Sequence, residues 1–250
     1  MLLIIANAPI DPLARTRGAQ LAGLPPADFS RRLAGTLPRV LLAAVPVEQI
    51  GALVDEFESL GFAAFSCDPA AAPDDDDRLL VRGIAFESGV VAFLDAQGNR
   101  HPCAGATVSL IQRGVRVVTT SETVTTSERR LDVGKAVLSG GLMLTTKVKK
   151  QSVKTEETRE AFVLVQRNDG QPDAIIYERR VDYRFLGAAK QPASHANLER
   201  TLTDLRVLAP HSPVDDRVAK PGFVTGLPIT SSDPVDLALY LVTLARTRGF

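Results

Sequence analysis

The sequence predicts an α+β fold: a small three-stranded αβ sandwich, then an antiparallel β-rich domain, then a C-terminal helix. Three observations predict it. Residues 1–68 alternate apolar runs with segments of helical period; from Leu79 the period drops to two, with Gly-bearing turns between short runs; and a segment near the end, Val235–Ala245, is apolar on almost every side.

Leu2–Ala6 is a continuous apolar run and predicts a buried strand. Asp11-Pro12 opens a turn into a first helix, and Leu24-Pro25-Pro26 breaks it before a second helix carrying Phe29, Leu33 and Leu37, which Pro38 ends. Arg39–Val45 predicts a second strand, followed by Pro46 at a helix start, where its missing N–H costs nothing. In that third helix Ile50, Leu53, Val54, Phe57 and Leu60 recur at the i, i+3, i+4, i+7 spacing of a core-facing stripe, with Asp55, Glu56 and Glu58 outside it. Gly61 is placed as its C-terminal cap, and Phe62–Cys67 reads as a third strand. The order strand, helix, helix, strand, helix, strand implies a three-stranded sheet with helices on one face.

Leu24, Ala27, Leu33, Pro38, Val40, Val47, Leu53, Phe57, Glu58 and Gly61 carry a resemblance. On these positions residues 24–66 resemble the C-terminal domain of the bacterial ribosomal stalk protein, whose fold is shared with the Clp protease adaptor. The resemblance implies a fold and a bacterial type of protein. The lysines that the stalk family presents to translation factors give way here to Pro26, Ala27 and Asp28. The adaptor's Asn-Asp pair after its first strand is matched only by Asn7, followed by Ala8, with Asp11 too far on. Neither family's activity carries over.

Residues 69–78, PAAAPDDDDR, read as an acidic linker with nothing apolar to bury. Metal binding by Asp74–Asp77 is disfavoured, because consecutive acids point in different directions whereas a calcium loop spaces its ligands at alternate positions. Residues 79–210 form the β-rich domain. Strands are predicted at Leu79–Phe86 and Val90–Leu94 around the turn Glu87-Ser88-Gly89, then beyond the turn Asp95–Asn99; Val108–Ile111 and Val115–Val118 flank a third turn at Arg113-Gly114. Ala161–Gln166 and Ala174–Tyr183 flank Asn168-Asp169-Gly170, and Ser194 caps a helix with the stripe Leu198, Leu202 and Leu205, ending at Pro210. In element order this stretch resembles a pleckstrin-homology-like domain, and a split barrel reads the same. Residues 211–250 are a C-terminal segment in which Asp233-Pro234 opens a helix over 233–248. Its Val235, Leu237, Leu239, Leu241, Val242 and Leu244 lie nearly all round, which predicts a helix clamped between elements or domains; a homo-oligomer interface is the alternative.

Composition narrows the classes of function. Lys plus Arg and Asp plus Glu balance at 29 each, so no global field draws the chain to nucleic acid or acidic lipid. Trp is absent and aromatics make up 5%, which argues against stacking platforms for bases or sugars. Cys67 and Cys103 fall in different predicted domains and no Cys/His set has zinc spacing, so neither a disulfide framework nor a metal site is expected, and a reducing cytoplasm is the default compartment. The N-terminal run lacks a positive n-region, and no apolar run reaches the roughly 20 residues of a membrane span, so no integral membrane segment is expected.

No catalytic signature emerges. Arg100-His101-Pro102-Cys103 suggests a Cys/His nucleophile, but Pro102 fixes the backbone and a working pair usually comes from distant segments; the structural reading is preferred. His195 lies in a first helical turn, where the dipole disfavours a cation. His211 sits in a loop with Asp215 and Asp216, and no serine has a nucleophile-elbow context. VGKAVLSGGLMLTTKVKK, residues 133–150, has the residue types of a phosphate loop, yet Lys135 precedes Gly140-Gly141 instead of following them, so the nucleotide reading is rejected. No cofactor is implied.

What remains is charge. Between Arg113 and Lys154 nine basic residues face three acidic ones, an excess of six within a neutral chain. Within it a basic hairpin is predicted over 129–154, and Lys147-Val148-Lys149 alternates in the strand manner. The candidate binding residues for a polyanion or acidic partner are Arg129, Arg130, Lys135, Lys147, Lys149, Lys150 and Lys154. The reading that follows is a non-catalytic binding or adaptor protein whose partner is another protein. The alternatives are an anionic surface, lipid or nucleic acid, bound by the same residues; an enzyme whose site converges from residues that spacing does not connect; and a hairpin whose lysines only solvate it, with Gly140-Gly141 letting it bend or pack closely.

Overall fold

A computed structural model describes residues 1–131, 145–220, 222–224, 227–228, 230 and 233–250, without the side chains of 118–131 and 145–157. The fold is α+β. The chain divides into two compact units, Met1–Arg116 with Ala161–Phe250, and Val117–Glu160.

In the first unit β1 (Leu2–Asn7), β2 (Arg39–Leu42) and β3 (Ala63–Cys67) form a sheet of order β2-β1-β3, both pairings antiparallel. One face carries α1 (Pro12–Leu21), α2 (Pro26–Leu33) and α3 (Val47–Ser59), packed through Leu3, Ile5, Phe29, Phe57 and Phe62. Phe62 stands edge-on to Phe29 and Phe57, with centroids 5.8 and 5.3 Å away. Asp11 caps α1, accepting from the N–H groups of Leu13 and Ala14 at 3.1 Å each. Gly61, at φ 84°, follows α3 in the left-handed conformation that ends a helix. The second helix stops at Leu33, short of Pro38: Ala34 is already extended and Gly35 sits at φ 93°, so the chain leaves the helix before the proline is reached, and Leu37 is not on it.

Eight further strands follow: β4 (Leu79–Leu80), β5 (Gly83–Glu87), β6 (Val90–Leu94), β7 (Arg100–Ala104), β8 (Val108–Leu131), β9 (Thr145–Arg167), β10 (Ala174–Tyr177) and β11 (Val214–Asp215). They build two sheets, of order β11-β8-β9-β10-β4 and β5-β6-β7. Their shared core holds Val91, Phe93, Ile111, Val163, Val165 and Ile176 against Leu198, Leu202 and Leu205 of α4 (Ser194–Leu208).

Three local expectations change. Leu79–Phe86 is two strands in different sheets: the Val81 N–H donates to the Ile175 carbonyl of β10 and the Arg82 N–H to the Leu94 carbonyl of β6, so the chain changes partner between those two residues. There is no turn at Arg113-Gly114, because β8 runs straight through it. Gly114 is required by packing: a Cβ there would lie 2.3 Å from Cζ of Phe162. Ser194 is not a helix cap, since its hydroxyl donates to the Glu178 carboxylate at 2.5 Å and the capping position is Ala193.

The last helix, α5 (Pro234–Thr247), is capped by Asp233, whose carboxylate accepts from the Val235 N–H at 2.8 Å. It carries two apolar stripes. Val235, Ala238, Leu239 and Val242 pack on Phe162, Leu164, Ile175 and Tyr177 of β9 and β10. Leu237, Leu241 and Ala245 pack on Leu2, Ile4, Phe65 and Cys67, the face of the N-terminal sheet away from α1–α3. These seven apolar side chains are therefore buried inside the chain.

Gly114→Ala is expected to destabilise the protein by about 1–3 kcal/mol through overpacking against Phe162, read from urea unfolding. Gly51→Ala, in the exposed interior of α3 with nothing within 4 Å of its Cβ, should instead stabilise by up to about 1 kcal/mol. Equal effects would contradict the packing role of Gly114.

Candidate functional site

β8 and β9 lie side by side in the sheet and run for 24 and 23 residues. Of the candidate binding residues, Arg129 and Arg130 lie on β8, and Lys147, Lys149, Lys150 and Lys154 lie on β9. Lys135 and the Gly140-Gly141 pair fall outside the described residues. Six of the seven candidates are thus placed on two neighbouring strands, within the unit Val117–Glu160.

Two other cations of the basic run serve internal purposes. Arg113 pairs with Glu199 of α4 at 2.5 Å. Arg116 donates to Asp236 at 2.7 Å and lies 3.4 Å from Asp75. Asp236, 2% exposed within α5, also accepts from Arg78 at 2.5 Å. Arg78 in turn reaches Asp75 at 3.1 Å and the Pro73 carbonyl at 2.6 Å, and the Tyr177 hydroxyl donates to Asp75 at 2.5 Å. Burial, followed by that bond to Asp75, pushes the Tyr177 hydroxyl pKa above its ordinary value, so the phenol keeps its proton. The acidic run 74–77 is thereby tied to β8, β10 and α5 through Asp75, while Asp74 accepts from the N–H groups of Asp76 and Asp77.

A second buried carboxylate holds the segment after α4. Asp215, 2% exposed, takes a forked pair of bonds from Arg217 at 2.7–3.0 Å and one from Arg246 of α5 at 2.9 Å. Burial raises its pKa, but the bonds and charges of Arg217 and Arg246 outweigh it and hold the carboxyl below the usual range. Arg217 also donates to the Leu37 carbonyl at 3.1 Å, and Arg39 to that of Gly222 at 2.9 Å, stitching β2 and the loop before it to the C-terminal segment.

The sequence contains a signal for the first cluster. A charge inside an otherwise apolar helix must find a partner or cost several kcal/mol, and Asp236 is such a charge. Nothing in the spacing identifies Arg78 and Arg116 as the partners, which come from two distant segments.

The residues weighed for chemistry are placed apart or occupied. His101 and Cys103 sit two apart on β7, on one face; His101 lies 3.2 Å from Asp95, and Cys103 is buried beside Thr107. Burial pushes up the Cys103 thiol, and raises Cys67 to about 11, helped by Asp68, so neither supplies a thiolate at neutral pH. His195 is 3.9 Å from Glu199 on the surface of α4. Among the described residues no group of three or more His, Cys, Asp or Glu is placed to hold a metal ion. In two of the clefts a lining charge already has a partner. In a cleft of about 650 Å³ beside Phe86, Leu186 and Val207, Arg200 pairs with Asp204 at 2.9 Å. In one of about 460 Å³ between Ser109, Gln166 and Phe250, Arg246 is held by Asp215.

The chain matches no protein-family model, no curated protein and no solved structure. Among the described residues no helix is long and apolar enough to cross a membrane.

Asp236→Ala leaves Arg78 and Arg116 buried without their shared acid and is expected to cost about 3–5 kcal/mol in chemical unfolding, whereas Asp28→Ala, which removes the exposed pair with Arg31, should change stability by no more than about 0.5 kcal/mol. Asp215 gives a pH test. Its folded pKa is depressed, so its contribution is complete above the unfolded carboxyl value of about 3.9 and is lost as pH falls through the folded value. Asp215→Asn should therefore flatten the loss of stability below about pH 4; an unchanged acid limb would contradict the role assigned to the arginine clamp.

Proposed function

We propose that the protein is a non-catalytic binding or adaptor protein that works in the cytoplasm through contacts with another protein, and that the basic strand pair β8–β9 meets an acidic surface on that partner. One observation carries the reading: six cationic candidates lie on two adjacent strands, while the neighbouring Arg113 and Arg116 are engaged by Glu199, Asp236 and Asp75. In this reading the cations of β8 and β9 supply the contact with the acidic partner. Two buried, unpaired cysteines fit a reducing compartment. Anionic lipid or nucleic acid as the partner is the second reading, favoured by the same cations.

The test compares the intact chain with K147E/K149E/K150E against three probes: polyglutamate, phosphatidylserine vesicles and a DNA duplex. Polyglutamate is expected to bind at low salt, weaken as ionic strength rises and be lost from the variant. Preferential binding of vesicles or DNA, with a steep salt slope, selects the second reading. Binding to none of the three, or binding indifferent to the triple substitution, overturns the assignment to β8–β9.

A further inference from the structure

We propose that the open edge of β3 receives an extended segment of another protein as a fourth strand of the N-terminal sheet, an inference that deepens the protein-binding reading and rests on it. β3 is terminal in the order β2-β1-β3. Its register sets Cys67 opposite Leu2 and Phe65 opposite Ile4. Met1 exchanges both backbone bonds with Val45 on the β2 side of β1, at 3.0 and 3.2 Å. By alternation Leu2 and Ile4 turn their backbone groups to β3, where Cys67 and Phe65 answer them. Ala64 and Ser66 are left directing N–H and C=O outward, and no group among the described residues bonds there. The opposite edge differs: Arg32 donates to the Leu41 carbonyl of β2 at 2.7 Å.

Beside the open edge runs a groove of about 410 Å³, with Ala64, Phe65 and Ser66 at its floor. Ala64 packs toward α1–α3 and Phe65 toward α5, so the two walls belong to opposite faces of the sheet. On the α3 side stand Val54 and Glu58; on the α5 side Arg248 lies over the Phe65 ring at 4.8 Å. Glu58 and Arg248 are exposed, and among the described residues neither has an oppositely charged side chain within ion-pair distance.

Those two charges select the occupant. An extended chain sends successive side chains to opposite faces, so a segment with an acid next to a base meets Arg248 with one and Glu58 with the other. A second copy of this chain fits badly. Two-fold antiparallel pairing of β3 with itself keeps both α3 helices on one face, bringing Glu58 toward Glu58 and Arg248 toward Arg248.

The test uses the full chain, ¹⁵N-labelled, and an acetylated peptide of about eight residues in which Val and Thr alternate around a central Glu-Lys pair, the short length and period of a strand. Binding should shift the Ala64 and Ser66 amides and slow their hydrogen exchange. Arg248→Glu should weaken the peptide about tenfold, the effect of exchanging an attractive surface pair for a repulsive one, and a peptide with Lys-Lys at its centre should recover that loss. Ser66→Pro should abolish binding with native circular dichroism. Unmoved Ala64 and Ser66 amides at saturation, indifference to Arg248→Glu, or a dimer by sedimentation that Ser66→Pro disperses would each overturn the proposal. K147E/K149E/K150E should keep the peptide. If the peptide fails while polyglutamate still binds the unsubstituted chain, the edge proposal falls and the protein-binding reading stands.

Discussion

The burial of α5 between two sheets is the constraint on which the rest of the first unit depends. A single helix presents Val235, Ala238, Leu239 and Val242 to β9 and β10, and Leu237, Leu241 and Ala245 to β1 and β3, so each sheet buries one face against the same element. Removing either stripe would open the core that it fills, since a buried Leu truncated to Ala costs about 2–5 kcal/mol in a site that cannot collapse. The helix also carries Asp236 into this dry setting, and the acid is tolerated only because Arg78 and Arg116 meet it there.

That requirement sorts the charges of the chain by role. Arg78, Arg113, Arg116, Arg217 and Arg246 are each matched to a carboxylate supplied by another segment or a near neighbour, and the ties run from β8, α5 and the residues around β11. Such ties give directional specificity to an interior that is otherwise Leu, Val and Ile. Of the other cations in the basic run, Arg129 and Arg130 lie on β8 and Lys147, Lys149, Lys150 and Lys154 on β9. Among the described residues His101 lies beside Asp95, His195 lies near Glu199, and both cysteines are buried and free.

Much of the fold is legible in the sequence where one element faces one core. The stripe Ile50, Leu53, Val54, Phe57 and Leu60, the cap at Asp11 and the left-handed Gly61 all follow from local rules, because helix period and backbone sterics act within a few residues. Glycine is where the local rules misread. Gly89 and Gly98 have the positive φ that a turn requires, whereas Gly114 serves a ring that approaches from β9, and the two uses look alike in one dimension. Leu79–Phe86 likewise reads as one strand, because alternation does not register a change of hydrogen-bonding partner at Val81 and Arg82.

The candidate site divides in the same way. Composition, the period switch at Leu79, the excess of six positive charges between Arg113 and Lys154 and the all-round apolar character of α5 were determined by the sequence itself, since each is a local count or a spacing. Which arginines are engaged by carboxylates, which carboxylates lie buried, and which sheet edge stays open were decided by tertiary structure. Arg116 meets Asp236 across 120 positions, and Ala64 and Ser66 face outward only because β1 has β2 on its other side. Long-range pairing assigns partners by proximity in space, and proximity in space is what a linear pattern does not contain.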